Sequence, residues 1–317
     1  MIELVAAQLI ILAMSLVLLA AASHFTIKSV EDLIAISGLS DVSAGFVILA
    51  VMTSTPEIVV ALFAVFQGNP AISIGDILGS NVFNMAAVLG ILGTLGYLKT
   101  CCTDLLVELT DILLVITLIP LLLVISHFHI FEISSPIIGA ILLVAFFVST
   151  FFMGRKRMTV SANASTSQNS TVVSKKMLVM KLILSFVGVV VAAQLVVYSG
   201  TNATILLGIP PILIGAKLVS IGTSLPELTL DFQAVRRGRV QLAIGDVIGS
   251  NLTNLTLVLG LVLLTSPFSV DITIFTEILP FLLITTVIFW RFLIKGGISQ
   301  TSGIILIMIY ILFQAVT

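Results

Sequence analysis

The string Thr53-Ser54-Thr55-Pro56-Glu57, followed by Ile74-Gly75-Asp76, Gly79-Ser80-Asn81, Asn84 and Val88-Leu89-Gly90, is written a second time. The second copy reads Thr223-Ser224-Leu225-Pro226-Glu227, Ile244-Gly245-Asp246, Gly249-Ser250-Asn251, Asn254 and Val258-Leu259-Gly260. From Gly45 and Gly215 onward every pair is separated by the same 170 positions, with no gap. A constant offset of this kind means two homologous halves in one chain. The halves share carboxylates, hydroxyls, amides, prolines and glycines, set in strongly apolar surroundings.

Those surroundings fix the broad class. Hydrophobic residues make up 59% of the chain and charged residues 9%, with a mean hydropathy of +1.27. An ordinary soluble domain is about 25% charged, so the composition indicates a polytopic membrane protein. A net charge of −1 without a rich basic patch argues against nucleic acid as a partner. Cys101 and Cys102 are adjacent and too few for a disulfide framework or a cysteine-based metal site. Residues 4–22 lack a basic leader and read as a first spanning helix rather than a signal peptide.

Runs of about 20 apolar residues, the length that spans a bilayer, fall at 3–22, 43–67, 71–97, 105–126, 130–153, 177–199, 210–235, 240–266, 272–292 and 298–316. The expected fold is an all-α membrane protein of ten transmembrane helices. The first five-helix repeat is placed at 1–157, a polar linker at 158–176, and the second repeat at 177–317. Basic residues cluster on one side of this plan: Lys28, Lys99, Arg155, Lys156, Arg157, Lys175, Lys176, Lys181, Arg236, Arg237, Arg239, Arg291 and Lys295. The opposite loops (67–70, 127–129, 200–209 and 267–271) contain no Lys or Arg. The positive-inside rule then makes the linker cytoplasmic and both termini external. Five helices separate the two motif copies, so they enter the membrane in opposite directions. Inverted repeats with interrupted helices meeting near the midplane form a transporter architecture.

Pro56 and Pro226 interrupt the second and seventh helices. Each lacks an N–H and displaces the carbonyl four residues back, at Met52 and Gly222. Freed carbonyls in a membrane need a cavity, water or an ion; a packing kink is the bland alternative. Thr53 and Glu57 share a helix face, and Asp76, Ser80 and Asn84 recur at four-residue steps, as do Asp246, Ser250 and Asn254. The result is two matched sets of hard oxygen donors, suited to Ca²⁺ or Na⁺ and unsuited to zinc or copper. An intramembrane carboxylate costs roughly 2.5 kcal/mol or more and marks a functional site. For Ser80 and Ser250 the alternative is small-residue packing. Asp76 and Asp246 either favour a helix N-terminus or line an access path.

At these residues the chain resembles the cation/calcium antiporter superfamily, in its sodium/calcium exchanger branch of prokaryotic type. The duplicated Thr-Ser-x-Pro-Glu and Gly-Ser-Asn-x-x-Asn strings look like that family's two α-repeats. The resemblance implies a substrate diamond of Glu57, Asn84, Glu227 and Asn254. It adds Thr53, Ser54, Ser80, Thr223, Ser224 and Ser250 as sodium ligands, with the carbonyls of Ala50 and Ser220. Met52 departs from the glycine found at Gly222, and Asn254 stands where potassium-dependent relatives tend to carry Asp. Amides at both positions imply a potassium-independent form. The implied function is secondary active antiport of Na⁺ against Ca²⁺, with no cofactor, the ions being cargo, and no protein partner indicated.

Alternatives from other classes are an H⁺/Ca²⁺ antiporter, a cation channel and an intramembrane aspartyl protease. The last would pair two aspartates around one proton, but it has no need of the duplicated Glu and Asn. Lys217, whose mate is Val47, is expected either to snorkel to the external interface or to pair with a carboxylate. Asp231, whose mate is Ala61, is expected at a solvated helix end near Arg236. His127 and His129 read as wet loop residues, and Asp104, Glu108 and Asp111 as an acidic helix face.

Overall fold

The computed structural model describes residues 2–37, 53–99, 103–127, 133–160, 175–266 and 272–316. Every regular element among them is helical. In chain order these are α1 (Ile2–Ser37), α2 (Thr55–Phe66), α3 (Pro70–Thr94), α4 (Asp104–Leu118, continued past Pro120 by Leu121–His127), α5 (Ser135–Val160), α6 (Lys175–Leu207), α7 (Pro211–Thr223), α8 (Leu225–Arg236), α9 (Val240–Thr265), α10 (Ile272–Ile294) and α11 (Gln300–Val316). Among the described residues six helices are long and apolar enough to cross a membrane, or seven if the bent pair α7–α8 counts as one span. This is a multi-pass membrane protein. Ala50 and Met52, with the rest of 38–52, lie outside the described residues, as do Cys101, Cys102, His129, 161–174 and 267–271.

The repeat is visible in the backbone. α2 and α8 are the same 12-residue segment displaced by the offset. Each ends in a glycine with positive φ, Gly68 at 73° and Gly238 at 76°, a conformation that glycine adopts without steric cost. Matching bonds close the two turns: Gly68 N to Val65 O (3.0 Å) and Asn69 N to Ala64 O (2.8 Å), against Gly238 N to Val235 O (3.0 Å) and Arg239 N to Ala234 O (2.9 Å). Pro56 and Pro226 sit in the first turn of α2 and α8, where a missing N–H leaves no helical bond unmade. The interruption is therefore a single residue, Ser54 (ψ 7°) and Ser224 (ψ 5°), after which a new helix begins. α7 and α8 meet there at a bend of 40°.

Two expected boundaries are corrected. α1 runs for 36 residues, not 3–22. α6 runs for 33, so residues 200–207 of the expected external loop are helical. Hydroxyls that suggested a loop instead bond within and beside the helix: Thr204 Oγ1 donates to Thr201 O (2.7 Å) and Asn69 Nδ2 to Thr201 Oγ1 (3.3 Å). Serine and threonine can back-bond to a helical carbonyl in this way, and α6 stops only at Gly208, where φ is 67°. The described ends of the expected linker are also helical, through Val160 in α5 and from Lys175 in α6.

Packing places α3 and α9 at the centre, buried along most of their length. α3 crosses α7 with backbones almost touching: a Cβ at Gly75 would lie 2.0 Å from Ile212 O, and one at Gly79 2.3 Å from Ala216 O. Close approach through small residues is how membrane helices gain van der Waals contact without a hydrophobic driving force. α3 also packs on α11 through Gly90 and Gly303, while α9 packs on α5 through Gly260 and Gly139. α1 lies along α6, and α4 along α10. α1 and α6 share a smaller apolar cluster that includes Leu12, Leu19, Ala192 and Val196.

Candidate cation site

The two breaks and the two central helices converge on one polar core. Thr53, Ser54, Glu57, Asp76, Ser80, Asn84, Thr223, Ser224, Glu227, Ser250 and Asn254 are all wholly buried, and Asp246 is 1% exposed. The hydroxyls tie one repeat to the other. Thr53 Oγ1 bonds Ser250 Oγ at 2.7 Å, and the related pair Ser80 Oγ and Thr223 Oγ1 lies at 3.2 Å. Ser224 Oγ donates to Glu57 Oε1 at 3.3 Å. Asn84 Nδ2 donates to Asn251 Oδ1, also at 3.3 Å.

The asparagines occupy special backbone. A π-helical segment, Phe83–Val88, lies within α3, and another, Asn254–Val258, within α9. Leu89 N–H bonds to Asn84 O, and Leu259 N–H to Asn254 O, each five residues back. Such widened turns are rare and concentrate at functional sites. Nothing in the apolar pattern signals them. α7 carries a third, Gly215–Val219.

Many oxygens in this core are left without a hydrogen-bond donor: Glu57 Oε2, both carboxylate oxygens of Glu227, Asp76 Oδ2, Asn84 Oδ1, Asn254 Oδ1 and Ser54 Oγ. A buried acceptor without a partner is expensive, a buried charge more so. Hard oxygens from carboxylate, amide and hydroxyl are the donors that Ca²⁺ accepts. The set therefore fits a desolvated hard cation. Among the described residues no three acidic, His or Cys side chains group to hold a metal by themselves. Neutral oxygens must supply much of any coordination shell.

Several expectations change on contact with the structure. Asp76 is not a helix-end carboxylate: it is buried within α3 and accepts from Thr223 Oγ1 (2.9 Å) and Ser80 Oγ (3.4 Å). The Ser220 carbonyl accepts Ser224 N–H (3.2 Å); Thr223 Oγ1 also lies 3.3 Å from it, but its single proton has the shorter contact with Asp76, so the carbonyl keeps a lone pair. Asp231 is not at a solvated helix end. It is wholly buried, and both its oxygens lack a donor. Its position one turn beyond Glu227 placed it on the same helix face, and that signal outweighed the nearby Arg236. Lys217 lies within electrostatic reach of the Glu277 carboxylate, and its Nζ donates to Gln314 O at 2.9 Å, at the C-terminal end of α11. That end attracts cations. Asn251 joins the core through Asn84 although only its repeated string announced it. Asp104, Glu108 and Asp111 form the exposed face expected of them, with Asp111 accepting from Trp290 Nε1 at 2.6 Å.

Buried carboxylates and amides, gathered at paired helix breaks inside an apolar multi-pass bundle, define a transporter of small cations rather than an enzyme. A family model described as Sodium/calcium exchanger protein matches residues 7–155 and 177–317. The chain belongs to that family. It is 28% identical to the sodium/calcium exchanger MaX1 of Methanosarcina acetivorans, with 97% of each chain covered. It is 36% identical to the inner membrane protein YrbG of Escherichia coli over 42% of this chain and 41% of that one. Among solved structures, the sodium-calcium exchanger NCX_Mj soaked with Na⁺ and Sr²⁺ superposes with a TM-score of 0.66 at 26% identity, covering 97% of this chain and 98% of that one.

Proposed function

We propose that this protein is a secondary active antiporter that exchanges Na⁺ for Ca²⁺ across the cell membrane by alternating access, without a requirement for K⁺. The observation that carries the reading is the pair Glu57 and Glu227. They occupy equivalent positions after equivalent helix breaks, both are wholly buried, and three of their four carboxylate oxygens lack a donor. Together they offer −2 of charge. One Ca²⁺ or several Na⁺ can compensate it, but the two loads share ligands and do not bind together. Glu57, Asn84, Glu227 and Asn254 form the shared centre, and Thr53, Ser54, Ser80, Thr223, Ser224 and Ser250 extend it for Na⁺. The carbonyls of Ala50 and Ser220 complete the set. Asp76 and Asp246 line the approach. Exchange follows because a loaded site can be occluded, whereas naked carboxylates in a low dielectric cannot.

The same reading takes the chain as ten spans in two inverted five-helix repeats, 1–157 and 177–317, joined by a cytoplasmic linker with both termini external. The reciprocal packing of α3 on α11 and α9 on α5, and the 170-position match of α2 with α8, support it. A direct check uses the exposed turn residues beside Gly68 and Gly238, since the glycines have positive φ. In a background with Cys101 and Cys102 replaced by Ser, single Gln67→Cys and Arg237→Cys variants label with a membrane-impermeant maleimide from opposite faces. Labelling of both from one face overturns the inversion.

The function is tested in sealed proteoliposomes. An imposed Na⁺ gradient drives ⁴⁵Ca²⁺ in the opposite direction, equally with and without K⁺. Calcium flux that follows a pH gradient and ignores Na⁺ would instead make this an H⁺/Ca²⁺ antiporter. Flux that needs no counter-ion would make it a channel.

A further inference from the structure

The two repeats are not electrostatically equal: besides Lys217 and the arginines of the α8–α9 turn, the second alone carries a buried Asp231, where the first has Ala61. In the hairpin α8–α9, Asp231 is five residues before Arg236, the last residue of α8, and Asp246 is six after Val240, the first of α9. At 1.5 Å of rise per residue, the two stand about 7.5 and 9 Å above the turn. Glu227 and Ser250, counted the same way, stand about 13.5 and 15 Å above it. The side chains are therefore stacked in two layers. The deeper layer holds Glu227 and belongs to the central site. The layer nearer the turn holds two carboxylates, Asp231 and Asp246, both buried and within electrostatic reach of each other. In the first repeat the corresponding layer holds Ala61 and Asp76, one carboxylate, and that one accepts two hydroxyls. Asp231 accepts from nothing, and both its oxygens are wholly enclosed.

Two carboxylates at one depth, walled off from water, repel each other, and a cation held with them relieves that repulsion. We infer that Asp231 and Asp246 form a second, weaker cation site on the second repeat's side of the centre, a staging position that Ca²⁺ or Na⁺ occupies between Glu227 and the Arg237–Arg239 turn. At the equivalent positions the first repeat has Ala61 and the single carboxylate of Asp76, so the two directions of approach differ in kind. Ions arriving from the turn's side meet an acidic relay. Ions arriving from the opposite side pass only Asp76, whose carboxylate already accepts two hydroxyls.

This inference rests on the exchange reading, and the experiment separates the two. Half-saturation by Ca²⁺ is measured from each face, in right-side-out and inside-out vesicles, for the wild type and for Asp231→Ala, which restores the residue found at position 61. The face from which a cysteine at position 237 labels should show half-saturation raised about tenfold, the scale of one charge acting on a divalent ion. The other face should be unchanged. A shift of equal size on both faces would make Asp231 part of the central site, and no shift on either would leave the pair merely sharing a proton; both outcomes overturn the staging site. Equilibrium ⁴⁵Ca²⁺ binding in detergent covers the case of a poorly transporting variant. With Glu57→Gln disabling the centre, weak residual binding remains and is lost on adding the isosteric Asp231→Asn; residual binding that survives Asp231→Asn overturns the assignment. If the wild type itself fails to exchange, the fault lies with the functional reading and not with Asp231.

Discussion

Glu57→Gln and Glu227→Gln should each abolish Na⁺-driven Ca²⁺ flux, by at least about a hundredfold, and neither should be much milder than the other. Even residues that only support a metal ligand cost 10–100-fold when lost, and a direct carboxylate ligand costs more. Glutamine keeps the shape of the side chain and removes one negative charge and one bidentate donor. The near-equality follows from the repeat: both residues sit three positions after the break residue, Ser54 or Ser224, and both are wholly buried. The environments are not identical, since Ser224 donates to Glu57 at 3.3 Å while both oxygens of Glu227 lack a donor. Glu227→Gln therefore relieves more uncompensated charge, and that variant should fold at least as well as the wild type while failing to transport. Protons compete for the same oxygens, because a ligand must be deprotonated to hold a metal. Lowering the pH should inhibit wild-type exchange and have no further effect on the silent variants. Substantial ⁴⁵Ca²⁺ flux through either glutamine variant removes the central role assigned to these residues.

How far the sequence alone reached depends on what kind of information each feature needs. The duplicated string located the core side chains other than Asp231, because buried polar residues in an apolar chain stand out against their background. Glu57, Asn84, Glu227 and Asn254 were legible for that reason, and their burial agrees. The helix ends were not legible, since apolarity marks where lipid is and not where a helix stops. α6 continues through Ser199, Thr201 and Thr204 because their hydroxyls bond to helical carbonyls or to a neighbouring side chain. The π-helical turns at Asn84 and Asn254 were invisible, as no residue type specifies an i→i+5 bond. Asp231 reads as a helix-end residue because Arg236 is near it in sequence, while its helix face points with Glu227 into the core. For Lys217 the sequence leaves the external interface and a carboxylate open; the structure puts it near Glu277 and adds the carbonyl of Gln314, which no residue type announces.

Gly79→Ala should be among the most damaging single-methyl additions in the protein, although alanine is ordinarily the better helix former. The added Cβ would lie 2.3 Å from Ala216 O and 2.6 Å from Ala216 Cα, backbone atoms that have no rotamer to move away through. α3 must then separate from α7, and the separation reaches the site directly: Ser80 and Asp76 on α3 hold Thr223 on α7 through contacts of 3.2 and 2.9 Å. Overpacking a core costs about 1–3 kcal/mol where side chains can adjust, and here the obstacle is backbone, so the upper end or beyond is expected. Gly200→Ala is the control. It lies in α6, its Cβ would meet only Ile214 Cγ2 at 3.7 Å and Ile72 Cδ1 at 3.8 Å, and these are ordinary contact distances. That variant should be neutral or slightly more stable, by up to about 1 kcal/mol of helix propensity. Thermal unfolding in detergent, read alongside exchange in vesicles, should show Gly79→Ala depressed in both and Gly200→Ala in neither. If Gly79→Ala keeps wild-type stability and flux, the helices do not cross here at backbone contact, and the hydroxyl bridges between the repeats cannot be what holds the two halves of the site together.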